Sequence, residues 1–83
     1  MGEYQGHRSW NAWNVALWID NDEPLYRFAM DCLQAPTARG SKPTLALATS
    51  RFMCNIWATK TPDGATYNRT CVREALAGYK EDN

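Results

Sequence analysis

The densest group of chemically active side chains in this 83-residue chain is acidic: Asp20, Asp22 and Glu23 fall within four residues. Carboxylate oxygens are the ligands that hard divalent cations prefer. The segment lacks the central glycine and the distal glutamate of an EF-hand loop, so it does not predict a calcium site. We expect these carboxylates to cap helices and to form a solvated acidic turn. Such a turn can also meet a Lys- or Arg-rich surface of a partner.

Thiol chemistry is the second option, because the chain has one histidine, His7, and three cysteines, Cys32, Cys54 and Cys71. A Cys–His pair can supply a nucleophile and its base. All three cysteines fall on or beside apolar helical stripes, so we interpret them as buried thiols in a reducing compartment. The chain has no glycine-rich phosphate loop, CxxC or HExxH pattern. The sequence therefore predicts no catalytic residues, no cofactor and no metal site.

Basic side chains offer a weak case for nucleic-acid binding. Arg39, Lys42 and Arg51 surround a proline-rich linker, and Arg69 and Arg73 follow nearer the C-terminus. Nine acidic and nine basic residues give a formal net charge of zero, whereas general nucleic-acid binders carry a large positive excess. Nucleic acid is therefore a disfavoured partner. A small nucleic-acid-associated regulator, with these five residues touching phosphate, remains the alternative function.

The first predicted helix begins at Ser9 or Asn11, both suitable N-caps, and extends to about Asp20. An apolar stripe follows its i, i+3, i+7 and i+8 positions: Trp10, Trp13, Leu17 and Trp18. We expect the stripe to pack inward, with Trp13 and Leu17 buried and Trp10 or Trp18 partly exposed. Asn14 faces this stripe and needs hydrogen-bond partners if it is buried. We expect the turn at 20–24 to supply them, which makes Asn14 a structural lock.

The second predicted helix spans residues 23–34. Asn21 or Asp22 caps it, and Pro24 fits its first turn, where no intrahelical N–H is required. Its apolar residues recur at helical spacing: Leu25, Phe28, Ala29, Cys32 and Leu33. Because the connection is so short, the first two helices are expected to form a hairpin.

The C-terminal half predicts two more helices, at about 44–59 and 65–79. A linker at 35–43 precedes them, and Thr-Pro-Asp-Gly at 61–64 forms a turn between them. Residues 1–8 are expected to be a loose arm and residues 80–83 a polar tail. The prediction is one all-α domain over residues 1–83, with four helices built on the N-terminal hairpin. The chain shows neither the apolar core of a signal peptide nor a run that spans a bilayer, so we expect a cytoplasmic protein.

Residues 13–26 read Trp-Asn-Val-Ala-Leu-Trp-Ile-Asp-Asn-Asp-Glu-Pro-Leu-Tyr. This string resembles the W-N-V-A-L-W-I-x-N-D-E-x-L-Y signature of short proteins from bacteriophages, plasmids and other mobile elements. The turn at 61–64 is similar to a feature of their second half. Their pattern often has an aromatic residue and Glu-Thr before the first signature tryptophan, whereas Trp10-Asn11-Ala12 stands there in this chain. The family has no assigned reaction or catalytic residues to carry over.

The resemblance implies a biological setting. Small accessory proteins of mobile elements frequently inactivate a host defence complex by binding to it, as anti-CRISPR proteins do. We therefore predict a non-enzymatic binding protein of the host cytoplasm whose contact surface is Asp20, Asp22, Glu23, Tyr26 and Arg27. Its partner is a host defence complex, in the sharpest version a CRISPR effector, and no membrane is involved. A homodimer that buries a spare tryptophan stays open.

Overall fold

The computed structural model describes residues 9–81, which form four α-helices. They are α1, Trp10–Asn21; α2, Glu23–Gln34; α3, Leu45–Asn55; and α4, Arg69–Glu81. Helices that follow one another in sequence pack together, and α4 returns to pack against α1, so the four helices form a ring around one core. This confirms the predicted all-α, four-helix fold. The arm expected at 1–8 lies outside the described residues.

Side-chain caps define the N-terminal hairpin. The Ser9 hydroxyl accepts the Ala12 N–H at 3.1 Å, and the Asp22 carboxylate accepts the Leu25 N–H at 3.1 Å. Asp22 serves both helices, because its own N–H donates to the Trp18 carbonyl at the end of α1. The predicted hairpin is confirmed, and α2 has the bounds that its cap and its proline predict.

The tryptophan stripe of α1 is not the fully buried side of the helix. The predicted burial of Leu17 was wrong, whereas the predicted partial exposure of Trp10 or Trp18 is confirmed. Trp10 is 41% exposed, Leu17 is 36% exposed and Trp13 is only partly buried. The side of α1 that is fully buried carries smaller residues: Ala12, Val15 and Ile19. These let α1 lie close to its neighbours, whereas a core of this size has no room for several indoles on one helix. Trp18 is partly buried.

The helices of the C-terminal half are shorter or shifted relative to prediction. α3 ends at Asn55 and not at 59, and α4 begins at Arg69 and not at 65. Asn68 sets the start of α4, because its side-chain oxygen accepts the Cys71 N–H at 2.9 Å. α4 continues to Glu81, two residues beyond the predicted helix end at 79. Within 9–81, no helix is long and apolar enough to cross a membrane.

Residues 56–68 form a loop that folds back on itself, which we call the hairpin loop. The Thr61 N–H donates to the Ala65 carbonyl at 2.8 Å, and the Tyr67 N–H donates to the Thr59 carbonyl at 3.0 Å. Gly64 takes a φ of 96° at the tip, a left-handed conformation that glycine adopts without strain. Because residues 65–67 use their backbone groups inside this loop and against α1, they do not extend α4.

The core lies inside the ring of helices, and Phe52 of α3 is its largest fully buried side chain. Its ring centroid lies 4.8 Å from that of Phe28 on α2 and 5.9 Å from that of Tyr67 in the hairpin loop. Ala65 is also fully buried. The hairpin loop is therefore a packed part of the core and not only a connection.

Candidate binding site

The α1–α2 junction holds the five residues predicted to contact a partner, and an exposed tyrosine stands among them. Tyr26 is 40% exposed, and its ring meets that of Tyr79 edge to face with centroids 5.8 Å apart. The Tyr79 hydroxyl donates a hydrogen bond to the Asp20 carboxylate. Burial, followed by this hydrogen bond, raises the pKa of Tyr79 above its usual value. The Tyr79 hydroxyl therefore stays protonated at neutral pH and holds the Asp20 carboxylate in place.

The remaining charges at the junction lie on the first turn of α2. Glu23 pairs with Arg27 one turn further on, with 2.6 Å between carboxylate and guanidinium and both side chains largely exposed. Asp22 caps the helix through Oδ2. In the described part of the chain, no hydrogen bond involves Asp22 Oδ1. The junction thus presents three carboxylates, of which Asp22 and Glu23 are held by contacts within α2 and Asp20 by Tyr79 of α4.

Asn14 of α1 is the centre of a buried polar contact with the hairpin loop. Its Oδ1 accepts the Thr61 hydroxyl at 2.6 Å, and its Nδ2 donates to Asp63 Oδ2 at 2.9 Å. Trp18 Nε1 donates to the same Asp63 oxygen at 2.9 Å. We call these four residues the polar clamp. Asn14 is buried and locked, as predicted, but the expectation that the 20–24 turn supplies its partners was wrong.

Asn11 makes a second attachment between α1 and the hairpin loop. Its side-chain oxygen accepts the Thr66 N–H, and its amide nitrogen donates to the Thr66 carbonyl, both at 2.8 Å. Asn11, Asn14 and Trp18 follow i, i+3 and i+7 spacing, so all three lie on the side of α1 that faces the loop. These three side chains therefore attach residues 61–66 of the hairpin loop to α1.

Asp63 is kept ionised by the clamp. The hydrogen bonds from Asn14 and then Trp18 hold the pKa of this carboxyl below its usual value. Because Asp63 itself is exposed at the loop tip, it also contributes a negative charge to the surface beside Trp18.

An open groove of about 260 Å³ lies between the α1–α2 junction and the hairpin loop, and we call it the aromatic groove. Its lining includes three aromatic rings and two charged side chains: Trp18, Trp57, Tyr67, Asp22 and Lys60. The Trp57 side chain is 62% exposed, and its ring rests against Phe28 with centroids 5.2 Å apart. Burial, followed by the charge of Asp22, raises the pKa of Tyr67. The groove therefore combines fixed aromatic surfaces with a carboxylate whose field reaches its interior.

Sequence reasoning missed this groove because the third helix, predicted at about 44–59, included Trp57. The helix ends two residues earlier, at Asn55, and Trp57 falls in the hairpin loop. Asn is a common residue at the C-terminal end of a helix. This asparagine, followed by the Thr-Pro-Asp-Gly turn, was the available signal for an early helix end.

Two of the basic residues considered for nucleic-acid binding are engaged inside the domain. The Arg51 guanidinium donates to the carbonyls of Cys32, Ala35 and Pro36 at 2.6–3.2 Å, which satisfies the C-terminal end of α2. Arg69 donates to the Ser50 hydroxyl at 3.0 Å. Arg69 itself is exposed, as are Arg39, Lys42 and Arg73. The Arg51 guanidinium is thus occupied at the end of α2, whereas Arg69 and Arg73 line one open pocket.

The cysteines divide into two buried thiols and one exposed thiol. Cys32 and Cys71 are buried, as predicted, but Cys54 is exposed near the end of α3, which contradicts its assignment to the core. Burial raises the pKa of the Cys32 thiol, so its reactive thiolate is disfavoured. His7 lies outside the described residues. Across 9–81, no three His, Cys, Asp or Glu side chains converge as metal ligands do.

These features define a small all-α bundle in which the first helix and a hairpin loop border an aromatic groove. The chain belongs to a family of unknown function, DUF7249, whose profile matches residues 1–81. No curated protein and no solved structure matches the chain.

Proposed function

We propose that this protein is a non-enzymatic accessory protein of a mobile element that binds and inhibits a host defence complex in the host cytoplasm. The sharpest form of the proposal is anti-CRISPR activity. The contact surface is the α1–α2 junction, comprising Asp20, Asp22, Glu23, Tyr26 and Arg27. The sequence resemblance at residues 13–26 supplies the setting, and the chemistry of the junction supports the surface.

The observation that carries the proposal is the position of exposed aromatic side chains on both sides of the acidic turn. Tyr26 stands beside Asp20, and Trp57 borders the groove that Asp22 lines. Tyrosine and tryptophan are the residue types most enriched among binding hot spots. Both rings are supported from behind, by Tyr79 and Phe28 respectively, so little side-chain entropy is lost when they are covered.

The acidic turn also suggests the kind of surface it meets. Effector complexes that hold a guide–target duplex do so in a positively charged channel. A group of three carboxylates next to aromatic side chains complements such a channel and imitates the charge of the nucleic acid. The proposal therefore places the contact on the nucleic-acid-binding side of the defence complex.

The test is capture of the tagged full chain from a CRISPR-bearing host, together with phage survival when the protein is expressed. We expect an effector subunit, identified by mass spectrometry, to co-purify and phage survival to rise. The triple variant Asp20→Asn, Asp22→Asn, Glu23→Gln is expected to lose both effects, because it removes the charge while Asn still caps α2. Asp31→Asn, which neutralises an exposed carboxylate later on α2, is the matched control.

Two results would count against the proposal at different levels. If no effector subunit is recovered and phage survival is unchanged, the anti-CRISPR form is wrong. If the complex forms equally well with the triple variant, the partner contacts another surface and the assignment of the α1–α2 junction is wrong.

A further inference from the structure

The aromatic groove has the size and lining of a site for one side chain. Its volume of about 260 Å³ is below the roughly 300–1,000 Å³ of pockets that hold drug-sized ligands or cofactors. Trp18, Trp57 and Tyr67 supply π-faces, and Leu25 adds apolar surface. A planar or elongated group of side-chain size is the natural occupant.

Contacts within the domain restrain each ring that lines the groove. The Trp18 indole is held by its hydrogen bond to Asp63, and the Trp57 ring is supported by Phe28. Tyr67 is buried against Phe52. When a ligand binds to a preorganised aromatic site, little side-chain entropy is lost.

The charges around the groove favour a cation. Asp22 lines it, with Oδ2 engaged in the helix cap and Oδ1 without a hydrogen bond in the described part of the chain. Lys60 supplies the one opposing charge of the lining, and Asp63, which accepts the Trp18 indole N–H, adds a further negative charge outside the lining. A cation gains from these carboxylates and from the aromatic rings, whereas a phosphate group gains only from Lys60.

We propose that the aromatic groove binds the guanidinium group of an arginine side chain that a partner protein presents, with Asp22 as its counter-charge. Arginine fits better than lysine, because its planar group stacks on aromatic rings while one of its N–H groups donates to Asp22 Oδ1. That the arginine belongs to a partner protein depends on the proposed function. The chemical preference of the groove does not, and it can be measured separately.

The test is an NMR titration of the full chain with N-acetyl-Gly-Arg-Gly-amide, observing the indole N–H signals of Trp18 and Trp57. We expect both signals to shift with the arginine peptide, to shift less with the matching lysine peptide and to stay unchanged with the glutamine peptide. Of the four indole N–H signals of the chain, that of Trp57 is assigned with Trp57→Phe, at a largely exposed position, and that of Trp18 with Trp18→Phe.

Charge variants identify the counter-ion. Asp22→Asn keeps the helix cap, so its melting temperature should be unchanged. Its affinity for the arginine peptide is expected to fall by about threefold or more. Asp31→Asn is the matched control on the same helix and should leave the affinity unchanged. Lys60→Gln is expected to strengthen binding by about twofold, since it removes the opposing charge.

Several results would overturn the proposal. These are equal shifts with the glutamine peptide, full affinity in Asp22→Asn, or shifts caused by adenosine monophosphate in place of the arginine peptide. If no probe moves either indole signal, the groove is not an arginine site. If a host complex is still captured in that case, the proposed function is supported and only the arginine site is wrong.

Discussion

Replacing Asn14 by alanine tests whether the polar clamp holds the hairpin loop on α1. The substitution leaves the buried Thr61 hydroxyl without its acceptor, and an unsatisfied buried donor costs about 1–3 kcal/mol. The lost carboxamide also leaves a small cavity, so we expect about 2–3 kcal/mol of destabilisation in total. In a domain of this length, each kcal/mol lowers the melting temperature by about 4–8 °C. The expected fall is therefore about 8–24 °C, measured by circular dichroism.

A double-mutant cycle with Thr61→Val separates the hydrogen bond from other effects of the substitution. Valine has the shape of threonine without its hydroxyl, so the double variant leaves no orphaned partner in this pair. The Ala65 N–H loses its contact with the Thr61 oxygen both in Thr61→Val and in the double variant, so this loss cancels in the cycle. We expect the double variant to be about 1–2 kcal/mol more stable than the sum of the single costs predicts.

Additive costs, within about 0.5 kcal/mol, would show that Asn14 and Thr61 do not interact in the folded protein. Asn55→Ala is the matched control, because this exposed asparagine bonds only to the Arg51 carbonyl one turn earlier. Its expected effect is within about 0.5 kcal/mol. An equal loss in both asparagine variants would point to a general effect of removing asparagine and not to the clamp.

Three further predictions concern single side chains. Because hydrogen bonds lower the folded-state pKa of Asp63, its stabilising effect is present above the unfolded pKa and is lost as pH falls through the folded value. In thermal melts, the melting temperature of wild type should therefore exceed that of Asp63→Asn near neutral pH, and the difference should shrink below about pH 5. Arg51→Met should destabilise by about 1.5–3 kcal/mol in urea melts, since three carbonyls at the end of α2 lose a charged donor. A thiol reagent should modify Cys54 rapidly and the other two cysteines only on unfolding.

Each of these has a contrary outcome, and two have a control variant. A constant offset between wild type and Asp63→Asn over the same acid range would contradict the lowered pKa of Asp63. Arg39→Met should be neutral, and equal stability of Arg51→Met would mean that α2 does not depend on this donor. Cys54→Ser should abolish the rapid thiol reaction, and persistence of that reaction would place another cysteine at the surface.

The N-terminal hairpin was predictable because its signals are local. Asp22 caps α2 with a contact three residues away, and Pro24 fits its first turn. The apolar residues of α2 recur at helical spacing, and that helix has the bounds that were predicted. Capping and periodicity act over one or two turns, so the sequence alone carries them.

The hairpin loop and the groove were not predictable, because they depend on contacts between distant residues. Residues 65–68 read as helical in isolation, but the Thr66 backbone pairs with Asn11, which is 55 positions earlier. Contacts with α4 and the loop likewise determine which side of α1 faces the core. Its tryptophans gave the stronger apolar pattern, yet smaller residues on the opposite side give closer packing.

The polar clamp has a consequence for how relatives of this chain can change. Positions 14, 61 and 63 share hydrogen bonds between α1 and the loop tip. A family member with an apolar residue at position 14 is therefore expected to lack the hydroxyl at 61 as well. Its residue at 63 no longer needs to be acidic. Substitutions at these sites should be inherited as a set, and their covariation across an alignment would report this tertiary contact without any further structure.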